Sequence, residues 1–305
     1  MVKQIILVKP RGLCAGVDRA LRILELAVKK SRGEIYCRHQ IVHNKKVVEE
    51  FSKKGVIFVE KIKEIPDGST VVFSAHGSSP ALFNEARDKN LKVIDSVCPL
   101  VTKVHEEAKR FADQGYFILY IGHKGHPEPA GVLGEVSKGV CKLISSLKEA
   151  KAFKLAPGFQ KVAVLTQTTL SLDETKATIE YLKKKFNNLE LPLGKDICFS
   201  TQNRQVAVKK LAEKTDLILV VGSKESSNSN RLREVGEKAG TEAYLIDGPE
   251  NIKKEWFEDK ERVGVTAGAS VPDKLTDKVV KAVQKKFGGK IEELEVIPET
   301  TKFPI

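Results

Sequence analysis

The chain has 305 residues, with 52 lysines and arginines against 40 acidic residues and a formal net charge of +12. Hydrophobic residues make up 41% and charged residues 30%, ordinary values for a globular protein with enough chain for two or three domains. No apolar run approaches the roughly 18 residues of a membrane span, and the opening MVKQIILVKPRGLC lacks the pattern of a signal peptide, so the expectation is a cytoplasmic protein without membrane contact. The positive charge raises nucleic acid or an anionic small molecule as a partner. The lysines are spread over the whole chain, with no arginine-rich arm and no aromatic stacking motif, so no nucleic-acid partner is expected.

Short β-branched runs alternate with helical patterns from end to end. Strands are predicted at 5–8, 35–37, 56–59, 71–74, 93–95, 117–122, 162–166, 217–221, 244–246 and 263–266. Helices are predicted at 15–30, where Val17, Leu21, Leu24 and Val28 share a face, and at about 100–113, 173–185, 201–214, 230–238 and 274–287. Such alternation predicts the α/β class, with mostly parallel sheets covered on both faces. One feature recurs: a strand, then a cysteine, then a helix start, at Cys14, Cys98 and Cys198. Three small lobes follow from that spacing: 15–97, 98–196, and a third made of 1–14 with 197–287. Residues 288–305 are read as a tail packing over the lobes.

In open α/β sheets ligands bind beyond the carboxyl ends of the strands. Those ends read PRGLCAG, VHN, SAHGSS, DSVCP, IGHKGHPE, TQTTLS, ICFSTQNR, VGSKESSNSN and TAGAS. Nine polar clusters in that place are more than turn chemistry requires. The five cysteines include no CxxC pair, which points away from a disulfide framework. Cys14, Cys98 and Cys198 each precede a helix start, where the dipole favours thiolate. Three thiolates can hold zinc or a 4Fe–4S cluster, either with one position open to substrate. Cys37, in mid-strand, and Cys141 read as packing residues.

Four of the six histidines, His43, His76, His123 and His126, fall at strand ends and suit a phosphorylated anion. Ser226-Ser227-Asn228-Ser229-Asn230 precedes a helix and reads either as an anion cradle or as an N-cap with a polar turn. Thr266 to Ser270 repeats that geometry one strand later. Glu128, in His126-Pro127-Glu128, can deliver protons if it is buried near a metal and a substrate hydroxyl. Thr166-Gln167-Thr168-Thr169 either orients a hydroxyl or caps the following helix. Neither GxxxxGK[ST] nor GxGxxG occurs. The rival readings are a zinc hydrolase using the same thiolates and a phospho-ligand or nucleic-acid binding module with a structural metal.

RGLCAGVDRA, VHNKKVV, SAHGSSP, CPLVTKVH, IGHKGHPE, TQTTLS, STQNRQ, VGSKESSNSNRL and GVTAGASVP together resemble the signatures of the 4-hydroxy-3-methylbut-2-enyl diphosphate reductase family, in order and spacing from about residue 4 to 275. The resemblance implies a monomeric trefoil of three α/β lobes around a 4Fe–4S cluster held by Cys14, Cys98 and Cys198. It implies reductive removal of the substrate hydroxyl as water, giving isopentenyl or dimethylallyl diphosphate, the last step of the non-mevalonate pathway. His43, His76, His126, Ser226, Ser227, Asn228 and Ser270 match diphosphate ligands, Glu128 the proton donor, and Thr168 a residue that positions the hydroxyl. No flavin or nicotinamide fingerprint is present, so the electrons are expected from a separate carrier such as ferredoxin or flavodoxin. Leu13 departs from the family, many of whose members have Phe there; the expected effect is on packing, not ligation.

Overall fold

A computed structural model describes residues 1–305. In chain order its elements are β1 (Gln4–Lys9), α1 (Ala15–Lys30), β2 (Ile35–Arg38), α2 (Lys45–Lys53), β3 (Val56–Val59), β4 (Thr70–Phe73), α3 (Pro80–Asp88), β5 (Lys92–Asp95), α4 (Pro99–Asp113), β6 (Tyr116–Ile121), α5 (Pro127–Leu133) and β7 (Cys141–Ile144). Then follow α6 (Leu147–Ala152), β8 (Lys161–Thr166), α7 (Leu172–Lys185), β9 (Leu189–Glu190), α8 (Phe199–Ala212), β10 (Leu217–Val221), α9 (Ser227–Lys238), β11 (Glu242–Ile246), β12 (Arg262–Ala267), α10 (Asp273–Phe287) and β13 (Lys290–Glu295).

The strands form three sheets, ordered β11-β10-β12-β1-β13, β3-β2-β4-β5 and β7-β6-β8-β9, and every pairing is parallel. The fold is therefore α/β with three parallel-sheet domains. Each sheet uses the same order, in which the first strand lies between the second and third and the fourth pairs with the third. In the β10–β12 sheet that fourth place is taken by β1, from the chain's beginning.

By compactness the chain divides into two units. One comprises Met1–Asp18, Val42–Glu50 and Phe199–Lys302 and holds the five-stranded sheet; the other comprises Arg19–Ile41, Phe51–Cys198 and Phe303–Ile305 and holds both four-stranded sheets. Residues 290–295, inside the expected tail, form β13 on the edge of the five-stranded sheet beside β1. Glu292 and Leu294 are half-buried on one face while Ile291, Glu293 and Glu295 on the other are exposed, the pattern of an edge strand with one solvated face.

Sheets covered on both faces need strands without a polar side, and the strands provide it. In the five-stranded sheet Ile5, Leu7, Leu219, Val221 and Val265 pack towards Val279 and Val283 of α10. Their neighbours Ile6, Val8, Ile218 and Val220 pack on the other face against Val208 and Leu211 of α8 and Leu232 of α9. The β6–β8 sheet divides the same way, with Phe117, Leu119 and Val164 towards Leu182 of α7, and Ile118, Tyr120 and Leu165 towards Val104 and Phe111 of α4. Each such buried side chain contributes roughly 1.5–3 kcal/mol, so the strand frame fixes where the loops at its carboxyl edge emerge.

Candidate active site

The threefold repetition reaches the loops. In each sheet the cysteine that follows the fourth strand donates its backbone N–H to a carbonyl two residues past the third strand. Cys14 bonds Ala269, Cys98 bonds Ala75 and Cys198 bonds Thr168, each at 3.1 Å. All three cysteines lie outside any disulfide and are partly accessible. Each lies at a helix start: Cys14 precedes α1, Cys98 is the N-cap of α4, and Cys198 precedes α8, which begins at Phe199, two residues before the predicted start. Cys37 is fully buried on β2, where burial pushes its thiol up, and burial likewise pushes Cys141 up to about 12.

A second class of loop follows the first strand of each sheet. His43, His126 and Ser226 each lie five residues past the last residue of that strand, Arg38, Ile121 and Val221. His126 and Ser226 are also the N-caps of the helices that follow, accepting from the N–H groups of Glu128 and Ser229. Three residues past the third strands stand His76, Thr169 and Ser270.

In the unit built on the five-stranded sheet, Ser226, Asn228 and Ser270 are brought together. The Ser226 hydroxyl accepts the Ser229 N–H at 3.2 Å and a hydrogen bond from the Ser229 hydroxyl at 3.0 Å. The Asn228 side-chain oxygen accepts the Ala269 N–H at 2.8 Å, while its buried amide nitrogen has no hydrogen-bond partner. The Ser270 hydroxyl donates to the His43 carbonyl at 2.9 Å, and Asn44 donates to the Ser270 carbonyl at 2.9 Å. This close packing needs Gly222 and Gly268, since a Cβ on either would come within 2.2 Å of the Ser229 hydroxyl. Ser226 thus does serve as the N-cap, but the buried Asn228 amide exceeds what a cap needs. An N–H donor held dry at a helix N-terminus is suited to an anion. Ser227 is the first residue of α9 and partly accessible beside it.

Beneath Cys14 lies a residue the sequence did not mark. Arg204 of α8 is 0% exposed and donates to the Gly12 carbonyl at 2.8 and 3.2 Å, to the Leu13 carbonyl at 3.4 Å, and to Glu299. It ties the loop leading into Cys14 to the last stretch of the chain.

In the other unit Cys98, Cys198, His76, His126, Glu128 and Thr168 belong to one set of loops. Glu128 is 2% exposed and accepts three hydrogen bonds. These come from the Thr168 N–H (2.7 Å), the Thr168 hydroxyl (2.8 Å) and the Tyr120 hydroxyl (3.2 Å). Burial raises its pKa and the three donors pull it back, leaving it at about 7. Thr168 does not cap α7, whose N-cap is Ser171; its hydroxyl is committed to Glu128. Gln167 accepts the His123 N–H at 2.9 Å, so His123 is part of this loop packing.

The His76 ring meets the His126 ring edge-on, with centroids 5.7 Å apart, and meets His39 at the same distance. His39, at φ +61°, sets a nitrogen 3.0 Å from Glu60. Tyr120 escaped the sequence reading because it sits in an apolar strand, yet a fully buried tyrosine requires a partner for its hydroxyl.

The family profile described as LytB protein matches residues 5–284. A curated relative from Burkholderia mallei, "4-hydroxy-3-methylbut-2-enyl diphosphate reductase 2", is 48% identical over 99% of this chain and 92% of its own length. A relative of the same enzyme name from Aromatoleum aromaticum is also 48% identical, over 99% of this chain and 96% of its own. The solved structure of the E-1-hydroxy-2-methyl-but-2-enyl-4-diphosphate reductase from Plasmodium falciparum superposes with a TM-score of 0.96 at 32% identity, covering 100% of this chain and 96% of that one. No helix is long and apolar enough to cross a membrane. With the match spanning most of the chain and the fold agreeing throughout, the chain belongs to the LytB family.

Proposed function

We propose that the protein reduces (E)-4-hydroxy-3-methylbut-2-enyl diphosphate to isopentenyl and dimethylallyl diphosphate, the last step of the non-mevalonate isoprenoid pathway. The relatives carry this enzyme's name, and another solved relative, 33% identical over 93% of this chain with a TM-score of 0.66, is described as the terminal enzyme of that pathway. The reaction consumes two electrons and two protons and releases the hydroxyl as water.

Three cysteines outside any disulfide, held in equivalent positions by equivalent backbone bonds, fit the thiolate set of a 4Fe–4S cluster with one iron open to substrate. Cys14, Cys98 and Cys198 would hold it; when bound, such a cluster supplies the electrons and a Lewis acid at the substrate oxygen. The histidines His43, His76 and His126 with Ser226, Ser227, Asn228 and Ser270 bind the diphosphate. Thr168 holds Glu128 and positions the substrate hydroxyl. Electrons arrive from a carrier protein such as ferredoxin or flavodoxin, and the enzyme acts as a cytoplasmic monomer.

The observation that carries the reading is Glu128. A buried carboxyl two residues from His126, its pKa raised by burial to about 7, can carry a transferable proton near neutral pH. The test is anaerobic purification, with iron and sulfide assays and turnover by reduced viologen. Brown protein that reduces the substrate supports it; a colourless, zinc-loaded protein without reductase activity refutes it.

A further inference from the structure

The segment CPLVTKVH ends in a histidine that neither the cluster nor the cradle uses. His105 lies on α4, the helix that Cys98 caps, and is 7% exposed. One edge of its ring is anchored, with Nδ1 2.7 Å from Glu135 Oε1. Glu135, just past α5, has only 6% of its side chain exposed, and its other oxygen meets Lys109 at 2.9 Å. Asp95, at the end of β5, is another charged neighbour. Its carboxyl is raised by burial and drawn back by the Val97 N–H, Arg19 and His105.

The other edge of the ring faces Gly77 and Gly131. Nε2 is buried and makes no hydrogen bond. A Cβ at Gly77 would stand 2.7 Å from it, and one at Gly131 would stand 3.1 Å from the adjacent carbon. Gly77 follows His76; Gly131 lies in α5, the helix begun by His126 and Glu128. The same seam continues where a Cβ at Gly134 would fall 2.4 Å from that of Ser79. The two backbones therefore approach closely at these glycines, with the imidazole of His105 packed against both Gly77 and Gly131.

We propose that His105, tethered by Glu135, is a positioning residue that sets the spacing between the His76 loop and the helix bearing His126 and Glu128. This inference rests on the diphosphate role proposed for those histidines. Ring thickness fixes how closely His76 approaches His126. A buried, hydrogen-bonded ring cannot change rotamer without breaking its bond to Glu135 Oε1, so the spacing is rigid.

The test uses iron-loaded protein, with pyrophosphate titrated by calorimetry and turnover driven by reduced viologen. His105→Ala empties the seam and Gly131→Ala thickens it. Each is expected to raise the pyrophosphate Kd and the substrate KM at least about tenfold, comparable to losing one hydrogen bond to a charged group. Iron content should hold, and kcat should stay within about threefold, the signature of lost ground-state binding. If His105→Ala does not fold, Gly131→Ala decides alone. A lowered Tm with unchanged Kd and KM overturns the proposal, because packing alone would move only the former. His76→Ala separates the two levels: unchanged pyrophosphate binding there refutes the cradle itself, whereas weakened binding there with normal binding in both seam variants refutes His105 only.

Discussion

Replacing Glu128 by Gln separates proton delivery from substrate binding. The carboxyl's two oxygens accept from the Thr168 N–H, the Thr168 hydroxyl and the Tyr120 hydroxyl. An amide oxygen can still accept from the Thr168 N–H and Tyr120, while the Thr168 hydroxyl rotates to accept from the amide NH2, so the shape and the loop survive. What is lost is the transferable proton. General acid catalysis typically contributes 10²–10⁴-fold, so kcat should fall by at least about a hundredfold with iron content and pyrophosphate affinity retained. The wild-type rate should also decline above pH of about 7 as Glu128 ionises, and the variant should lack that limb.

Stability offers an independent reading of the same group. The folded pKa of about 7 lies above the ordinary 4.5, so between those values the folded state holds more protons than the unfolded one. Stability should therefore fall as pH rises through that window, by about 3 kcal/mol from this residue when complete. Thermal melts of Glu128→Gln should show a correspondingly weaker pH dependence than wild type. Turnover within a few-fold of wild type, or an unchanged basic limb, would sink the assignment.

Replacing Cys14, Cys98 or Cys198 by Ser should abolish cluster assembly, read by iron content and absorbance near 400 nm, whereas Cys37→Ser and Cys141→Ser should retain the cluster. Ser226→Ala and His43→Ala should each weaken pyrophosphate binding by roughly 1.5–3 kcal/mol in calorimetry while leaving iron content intact. Thr168→Val removes a donor from the Glu128 carboxylate, so the basic limb of the pH–rate profile should move upward, and a downward move would contradict the hydrogen bond. Glu299→Ala takes the carboxylate partner from the fully buried Arg204 and should cost about 3–5 kcal/mol in denaturant unfolding, with the loop at Cys14 loosened.

The strand frame was legible because strands buried on both faces must be continuous apolar runs, as at 162–166 and 217–221. The cysteine repeat was legible for the same reason, since it stands at fixed places against those runs. Other elements hid for identifiable causes. The helix α5 spans seven residues and contains Pro127 and Pro129, so neither period nor composition announces it. The strand β9 has two residues, and β13 is mostly charged because one face meets solvent. The helix expected at 201–214 is present as α8, two residues earlier at its start, although it buries Ser200, Thr201, Arg204 and Gln205 along with its apolar face. Side-chain partnerships were the least legible, since Arg204 finds Glu299 and Tyr120 finds Glu128 only through the fold.

Under the proposed reaction, the surroundings of Glu128 let an acid serve a site that must also bind a diphosphate. A carboxylate that stayed ionised in the proposed site would repel the diphosphate. Burial alone would hold the acid neutral but too weak to give up its proton, since desolvation of a fully buried carboxyl raises its pKa by up to several units. Asp196 leans that way: burial raises it, reinforced by the neighbouring Glu107. At Glu128 the two donors of Thr168 and the hydroxyl of Tyr120 stabilise the carboxylate left after proton transfer, and the balance falls at about 7. In the proposed reaction the same residues thus let the acid carry a proton near neutral pH and release it when the hydroxyl departs. Neither burial nor hydrogen bonding could supply both properties alone.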